Sequence, residues 1–322
     1  LIDKMNRKKR NINSNTNFDL LSYNSYDEMI SHMESLAKKY PNFVSIHHYG
    51  YSFRKKKLYY LKLGFNQDIK KPTFVIDAGT HAREWITSTS AFYIVDKFIK
   101  NIALYKDIFD KINIDIFPMI NPDGYEYSRI KERTWRGNRN TEQSICGVDL
   151  NRNYPYKWNK IYNICISFPG ISKGSEHEVK SYTDFLVKNK NIIQGFVTLH
   201  SYGGFILYPW GYQKKLYTGD RENLHKIAEE MRNAIENISG ADYDVGQSAD
   251  ILYRANGCSD DYAKSLGIKY VFTIEIGSRK MYDFGFMVPK SYISKLAEEV
   301  FAGVLVVSQR ISKENTVESN IK

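Results

Sequence analysis

His81 and Glu84 stand three residues apart in His81-Ala82-Arg83-Glu84-Trp85, just beyond a β-branched and apolar run, Thr73 to Ala78, that Gly79 ends. A histidine and a carboxylate at that spacing, where a strand gives way to a turn, can aim at one point. Neutral imidazole and carboxylate both suit zinc. His200 ends a second apolar run, Ile192 to Leu199, and leads into Ser201-Tyr202-Gly203-Gly204. Two histidines and one glutamate leave the fourth tetrahedral position open for water, which is the catalytic rather than the structural arrangement. Glu275 closes a third run, Phe272-Thr273-Ile274-Glu275. A carboxylate so placed faces partial burial, which raises its pKa and suits it to act as general base toward the attacking water. Taken singly, each residue has a plainer reading: a surface histidine beside a solvated glutamate, or a strand-end glutamate paired with one of 46 basic residues. His32, His47, His48, His177 and His225 lack such context and read as structural or surface groups.

The elements that must position these groups follow from periodicity. Ser25-Tyr26-Asp27-Glu28 reads as a capping box that opens a helix, and Pro41 stops it. Strands are expected over Val44 to Tyr49, Leu58 to Leu63, Thr73 to Ala78, Ile112 to Ile120, Ile192 to Leu199 and Lys269 to Ile274. Helices are expected over Trp85 to Lys100, Ser175 to Asn189, Arg221 to Ile238 and Pro289 to Val307, with a turn at Asn121-Pro122-Asp123-Gly124. Strands and helices alternate without a Pro/Gly-rich linker. The expectation is one α/β domain, a mixed twisted sheet flanked by helices on both faces, with chemistry at the carboxyl ends of the strands.

Composition agrees with such a domain but names no chemistry. The chain has 322 residues, 42% hydrophobic and 14% aromatic, enough to bury a large core and to exclude disorder. No apolar run, Phe301 to Val307 among them, is long enough to span a membrane. The net charge of +10 invites a nucleic-acid reading, but the first ten residues carry five basic groups and one acid, so the remainder is ordinary. No basic–aromatic reading stripe occurs elsewhere, so neither nucleic acid nor membrane is expected as a partner. Cys146 and Cys165, 19 residues apart, can close a small loop worth about 3 kcal/mol in an oxidising compartment, which leaves Cys258 odd. Asn237-Ile238-Ser239 is a possible glycosylation sequon.

In this order, His81-Ala82-Arg83-Glu84-Trp85, Asn121-Pro122-Asp123-Gly124-Tyr125, Trp135-Arg136, Gly147-Val148-Asp149-Leu150-Asn151-Arg152-Asn153, His200-Ser201-Tyr202 and Phe272-Thr273-Ile274-Glu275 resemble the motifs of the pancreatic-type zinc metallocarboxypeptidases, the A/B group. The resemblance runs from about Phe18 to Val307. It implies one zinc ion on His81, Glu84 and His200, with Glu275 as the glutamate that moves protons and Arg136 as the arginine that stabilises the oxyanion. It implies that Asn151 and Arg152 grip the substrate's terminal carboxylate, that Tyr253 closes over the substrate, and that Arg83 and Tyr202 bind it further out. Asp260 matches the floor of the pocket for the C-terminal side chain, where A types carry an apolar residue and B types Asp; a buried carboxylate wants a cation, so C-terminal Lys or Arg is expected. An A-like or mixed preference is the rival, and an inactive binding module a more distant one.

This sequence departs from the family pattern in three places. Cys258 stands where Gly is usual, the stretch after Glu275 is longer so that no role is carried to Phe286, and His177 replaces the usual Pro. By the same resemblance, residues 1–15 are the expected remnant of a pro-segment, cut after Arg10 by an activating protease. Residues 16–311 are the expected catalytic domain and 312–322 a flexible tail. A secreted monomer acting on peptides or proteins with free C-termini completes the expectation.

Overall fold

The computed structural model describes residues 18–160, 165, 167–277 and 284–319, the side chains of 316–319 excepted. The expected cleavage junction lies outside the described residues. The chain opens with α1 (Tyr26–Lys39), whose first turn is closed by the predicted box: Ser25 Oγ accepts from Glu28 N at 3.2 Å and Ser25 N donates to Glu28 Oε2 at 2.8 Å. Then come β1 (Val44–Tyr51), β2 (Lys57–Leu63), β3 (Thr73–Asp77), α2 (Trp85–Lys100), α3 (Lys106–Lys111), β4 (Asn113–Phe117) and α4 (Pro122–Ile130). The second half holds α5 (His177–Asn189), β5 (Ile193–Ser201), β6 (Phe205–Tyr208), α6 (Arg221–Ser239), β7 (Asp244–Gln247), α7 (Ser248–Ile251), α8 (Ser259–Ser265), β8 (Tyr270–Ile276) and α9 (Ile293–Ser319).

The eight strands form one mixed sheet in the order β1-β2-β4-β3-β5-β8-β6-β7. Its centre, β4-β3-β5-β8, is parallel, so the carboxyl ends of β3, β5 and β8 emerge along one edge. Strand alternation divides the core in two. Phe74, Ile76, Val197, Leu199, Phe272 and Ile274 join Phe92, Met231 and Val300 of α2, α6 and α9 on one face. Val75, Phe196 and Val271 join Tyr182 of α5 and Tyr262 of α8 on the other. Both faces are therefore covered, as the alternating pattern predicts. Among the described residues no helix is long and apolar enough to cross a membrane.

The structure moves several predicted boundaries. Asn121-Pro122-Asp123-Gly124 is the start of α4 rather than a free turn: Asn121 Oδ1 accepts from Gly124 N at 3.0 Å, and Pro122 sits where a helix tolerates proline. The expected tail over 312–322 is corrected as far as Ser319, to which α9 continues. Polarity misled there, because one face of that turn is docked: Ser312 is buried, Asn315 donates to Gln194 at 3.2 Å, and Glu314 pairs with Lys269 at 2.8 Å. β5 and β8 also run on to include His200 and Glu275, which are register partners on neighbouring parallel strands.

Candidate active site

β3 delivers the first ligand pair through Gly79, whose φ of +70° and whose contacts leave no room for a side chain; a Cβ there would meet Met119 Sδ and Ser88 Oγ at 2.8 Å. The chain then turns so that Glu84, at the mouth of α2, aims its carboxylate at the histidines instead of capping the helix. Glu84 Oε1 lies 2.7 Å from His81 Nδ1, and Glu84 Oε2 lies 3.1 Å from His200 Nδ1. The two Nδ1 atoms are 3.2 Å apart. One ligand atom from each of the three side chains thus falls within 4.8 Å of the others, and all three residues are buried. Two imidazole nitrogens and a carboxylate converging so closely fit zinc by number and by chemistry.

Asp149 fixes the tautomer. Its Oδ1 takes the His81 Nε2–H at 3.0 Å, which leaves the Nδ1 lone pair for a cation, while its Oδ2 takes Arg136 Nε at 2.9 Å. Burial alone would raise the Asp149 carboxyl, but Arg136 and His81 hold it well below the usual carboxylate range. Glu84 behaves alike, with burial outweighed by His81 and His200. Asp149 lies within the Gly147-Val148-Asp149 motif, but its residue type and spacing alone do not mark this role.

A cavity of about 320 Å³ opens over this cluster. Every predicted metal, catalytic and substrate residue lines it: His81, Arg83, Glu84, Arg136, Asn151, Arg152, His200, Tyr202, Tyr253, Asp260 and Glu275. Glu275 shares the sheet face of His200; burial pushes its carboxyl up to about 7, opposed by His200 and reinforced by Glu84. Asn151 and Arg152 sit on a 3-10 turn, Leu150–Arg152. Asn151 is held at both ends, its N–H on Asp149 Oδ1 at 3.0 Å and its Oδ1 accepting from Ser259 N at 2.9 Å. Arg152 donates to Asn151 O at 2.6 Å and reaches Cys258 Sγ and Tyr253 OH, each at 3.4 Å. Tyr253 itself is 57% exposed and lines the opening. Near the mouth the Arg83 guanidinium lies 4.0 Å from the Phe286 ring centroid, and Phe286 packs edge-on against Tyr202. Phe286, unassigned by sequence because of the longer preceding stretch, is thus part of the site.

At the far end stand Asp260 and Asp261, at the start of α8. Asp260 is 5% exposed, and its Oδ2 accepts from Ser248 Oγ and Thr273 Oγ1, each at 3.3 Å. Asp261 accepts from Gly211 N at 2.7 Å and Tyr212 N at 3.0 Å, and burial, reinforced by Asp260, pushes it up to about 8. Among the described residues neither carboxylate forms an ion pair. Thr273 was within reach of sequence reasoning, since it lies two residues before Glu275 on the same strand face; Ser248 gave no signal. Cys146 and Cys165 form a disulfide, and Cys258 is a buried free thiol that burial keeps neutral.

The profile of the zinc carboxypeptidase family matches residues 29–303. The chain is 36% identical to carboxypeptidase B of Astacus astacus over 90% of its own length and 97% of that protein. It is 34% identical to carboxypeptidase A2 of Mus musculus over 92% of itself and 72% of that chain. Bovine thrombin-activatable fibrinolysis inhibitor, solved with tick carboxypeptidase inhibitor, superposes with a TM-score of 0.84 at 34% identity, covering 92% of this chain and 99% of that one. The buried His81–Glu84–His200 cluster and these likenesses lead to one conclusion: the chain belongs to the zinc carboxypeptidase family and is a zinc-dependent metallocarboxypeptidase.

Proposed function

We propose that this enzyme removes C-terminal Lys or Arg from peptides and proteins. The observation that carries the reading is Asp260, a buried carboxylate on the cavity wall that forms no ion pair among the described residues. A buried charge without a partner is costly, and a substrate ammonium or guanidinium supplies the partner. Leu207 and Leu252 give the same cavity apolar walls, which suit the stem of a lysine or arginine as well as a purely apolar side chain. The roles along the cavity follow from charge and reach. Arg152 and Asn151 bind the terminal carboxylate, which makes a free C-terminus a requirement. Arg136, fixed by Asp149, faces the scissile carbonyl and stabilises its developing negative charge. Glu275, with its carboxyl raised to about 7, is tuned to accept a proton from the attacking water and return it to the leaving amine. Tyr253 closes over the bound residue, and Arg83 and Tyr202 hold the chain upstream. His81, Glu84 and His200 would hold the zinc ion, which would supply Lewis acidity toward the scissile carbonyl and the attacking water.

The test is a set of peptides identical except for C-terminal Lys, Arg or Phe. The native enzyme is expected to favour the basic ends, and Asp260→Ile to invert the Lys-to-Phe ratio of kcat/KM by roughly 100-fold or more. A native preference for Phe overturns the reading. Secretion, a monomeric state and cleavage after Arg10 by an activating protease belong to the same proposal. The Cys146–Cys165 bond supports an oxidising compartment, and N-terminal sequencing of the active form checks the cleavage.

A further inference from the structure

The two oxygens of Asp260 are not equivalent. Oδ2 carries both hydroxyl contacts, from Ser248 and Thr273, while Oδ1 accepts no donor among the described residues. Both donors are fixed. Thr273 sits in the middle of β8, paired with Thr198 of β5 and Leu207 of β6, and Ser248 begins α7 with 9% of its surface exposed. Ser248 Oγ also lies 3.2 Å from Tyr208 O, but it has a single proton, and a charged carboxylate is the stronger acceptor. An oxygen that already takes two hydroxyl protons has little left to offer a third donor.

Resting on the reading of Asp260 as the side-chain receptor, we propose that the cavity discriminates within the basic class and favours C-terminal Lys over Arg. A guanidinium is a planar fork that gains most by donating two parallel N–H bonds, one to each carboxylate oxygen. Ser248 and Thr273 obstruct the Oδ2 half of that contact. An ammonium is a compact point charge that needs one strong acceptor and can turn its remaining protons to water or to the lone pairs of the neighbouring hydroxyls. Oδ1 alone satisfies it. Arg would bind singly or displace a hydroxyl, and either outcome forfeits a charge-assisted bond.

The experiment compares matched peptides ending in Lys, Arg and Phe with the native enzyme, Ser248→Ala and Thr273→Val. Lys is expected to exceed Arg in kcat/KM by roughly tenfold, the worth of one such bond. Removing either hydroxyl is expected to shrink that ratio several-fold, chiefly through a lower KM for Arg, and the two variants guard against one of them simply unsettling the fold. Arg equal to or better than Lys on the native enzyme, with Phe poor, overturns this inference and leaves the basic preference standing. A ratio unmoved by both substitutions overturns it as well. Phe exceeding both basic ends defeats the underlying reading instead, and is distinguishable on the same plate.

Discussion

The cavity has two ends built from the same material, buried carboxylates, and they behave in opposite ways. At the metal end Glu84 and Asp149 come with partners of their own: two histidines and Arg136 surround them and hold both carboxyls well below the usual range despite burial. At the far end Asp260 and Asp261 meet only hydroxyls and backbone amides among the described residues, and burial, reinforced by Asp260, pushes Asp261 up to about 8. Burial is shared, so companions decide the difference. The metal end is arranged to be charge-balanced by the enzyme and its ion, whereas the far end is left for the substrate to complete.

The largest effect that probes this contrast comes from Glu275, which stands between the two ends. Glu275→Gln keeps the shape but cannot move a proton, so kcat is expected to fall by roughly 10²–10⁴ while zinc content and KM stay close to native. Turnover preserved in that variant would remove the proton role altogether. Next comes the internal balance of the metal end. Asp149→Asn keeps an acceptor for His81 but places an amide against Arg136 Nε, now 2.9 Å from Oδ2. Zinc affinity, read by competition with a chelator, is expected to fall by about 10–100-fold. An unchanged affinity would mean that Asp149 merely fills space, and the contrast between the two ends would lose its physical basis.

These groups differ in how plainly the sequence announced them. His81, Glu84, His200 and Glu275 were readable because each sits at or just past the end of an apolar run, and parallel strands bring such ends together. The alternation of strands with helices along the chain likewise announced a sheet buried on both faces. What stayed hidden depended on contacts made across long separations. Ser248 meets Asp260 only because α7 and α8 fold against the same wall, and neither its type nor its spacing betrays that. β6 and β7, four residues each, were too short to show a period. The last turns of α9 looked like tail because their residues are polar, yet docking against β5 and Lys269 overrides composition. Periodicity reveals which face a residue takes, but not what waits opposite it.

Asp115 offers the contrast in its simplest form, away from substrate and metal. It lies on β4 opposite Lys62, is 3% exposed, and its Oδ1 has no hydrogen-bond partner among the described residues. Burial pushes its carboxyl up to about 7, with Lys62 opposing the rise only in part. The folded pKa thus stands above the ordinary aspartate value, so the folded state binds this proton more tightly than the unfolded chain. Its stabilising contribution is full below about pH 4 and is lost as the pH climbs through about 7. Asp115→Asn cannot ionise and escapes that loss. The melting temperature of the variant relative to native is therefore expected to rise between pH 4 and pH 8, gaining roughly 2–4 °C at the alkaline end for each kcal/mol recovered. Melting curves recorded across that range check it. A difference that stays flat, or that runs the other way, would mean that Lys62 neutralises Asp115 as fully as Arg136 neutralises Asp149, and that companionship alone does not separate the two classes of buried carboxylate.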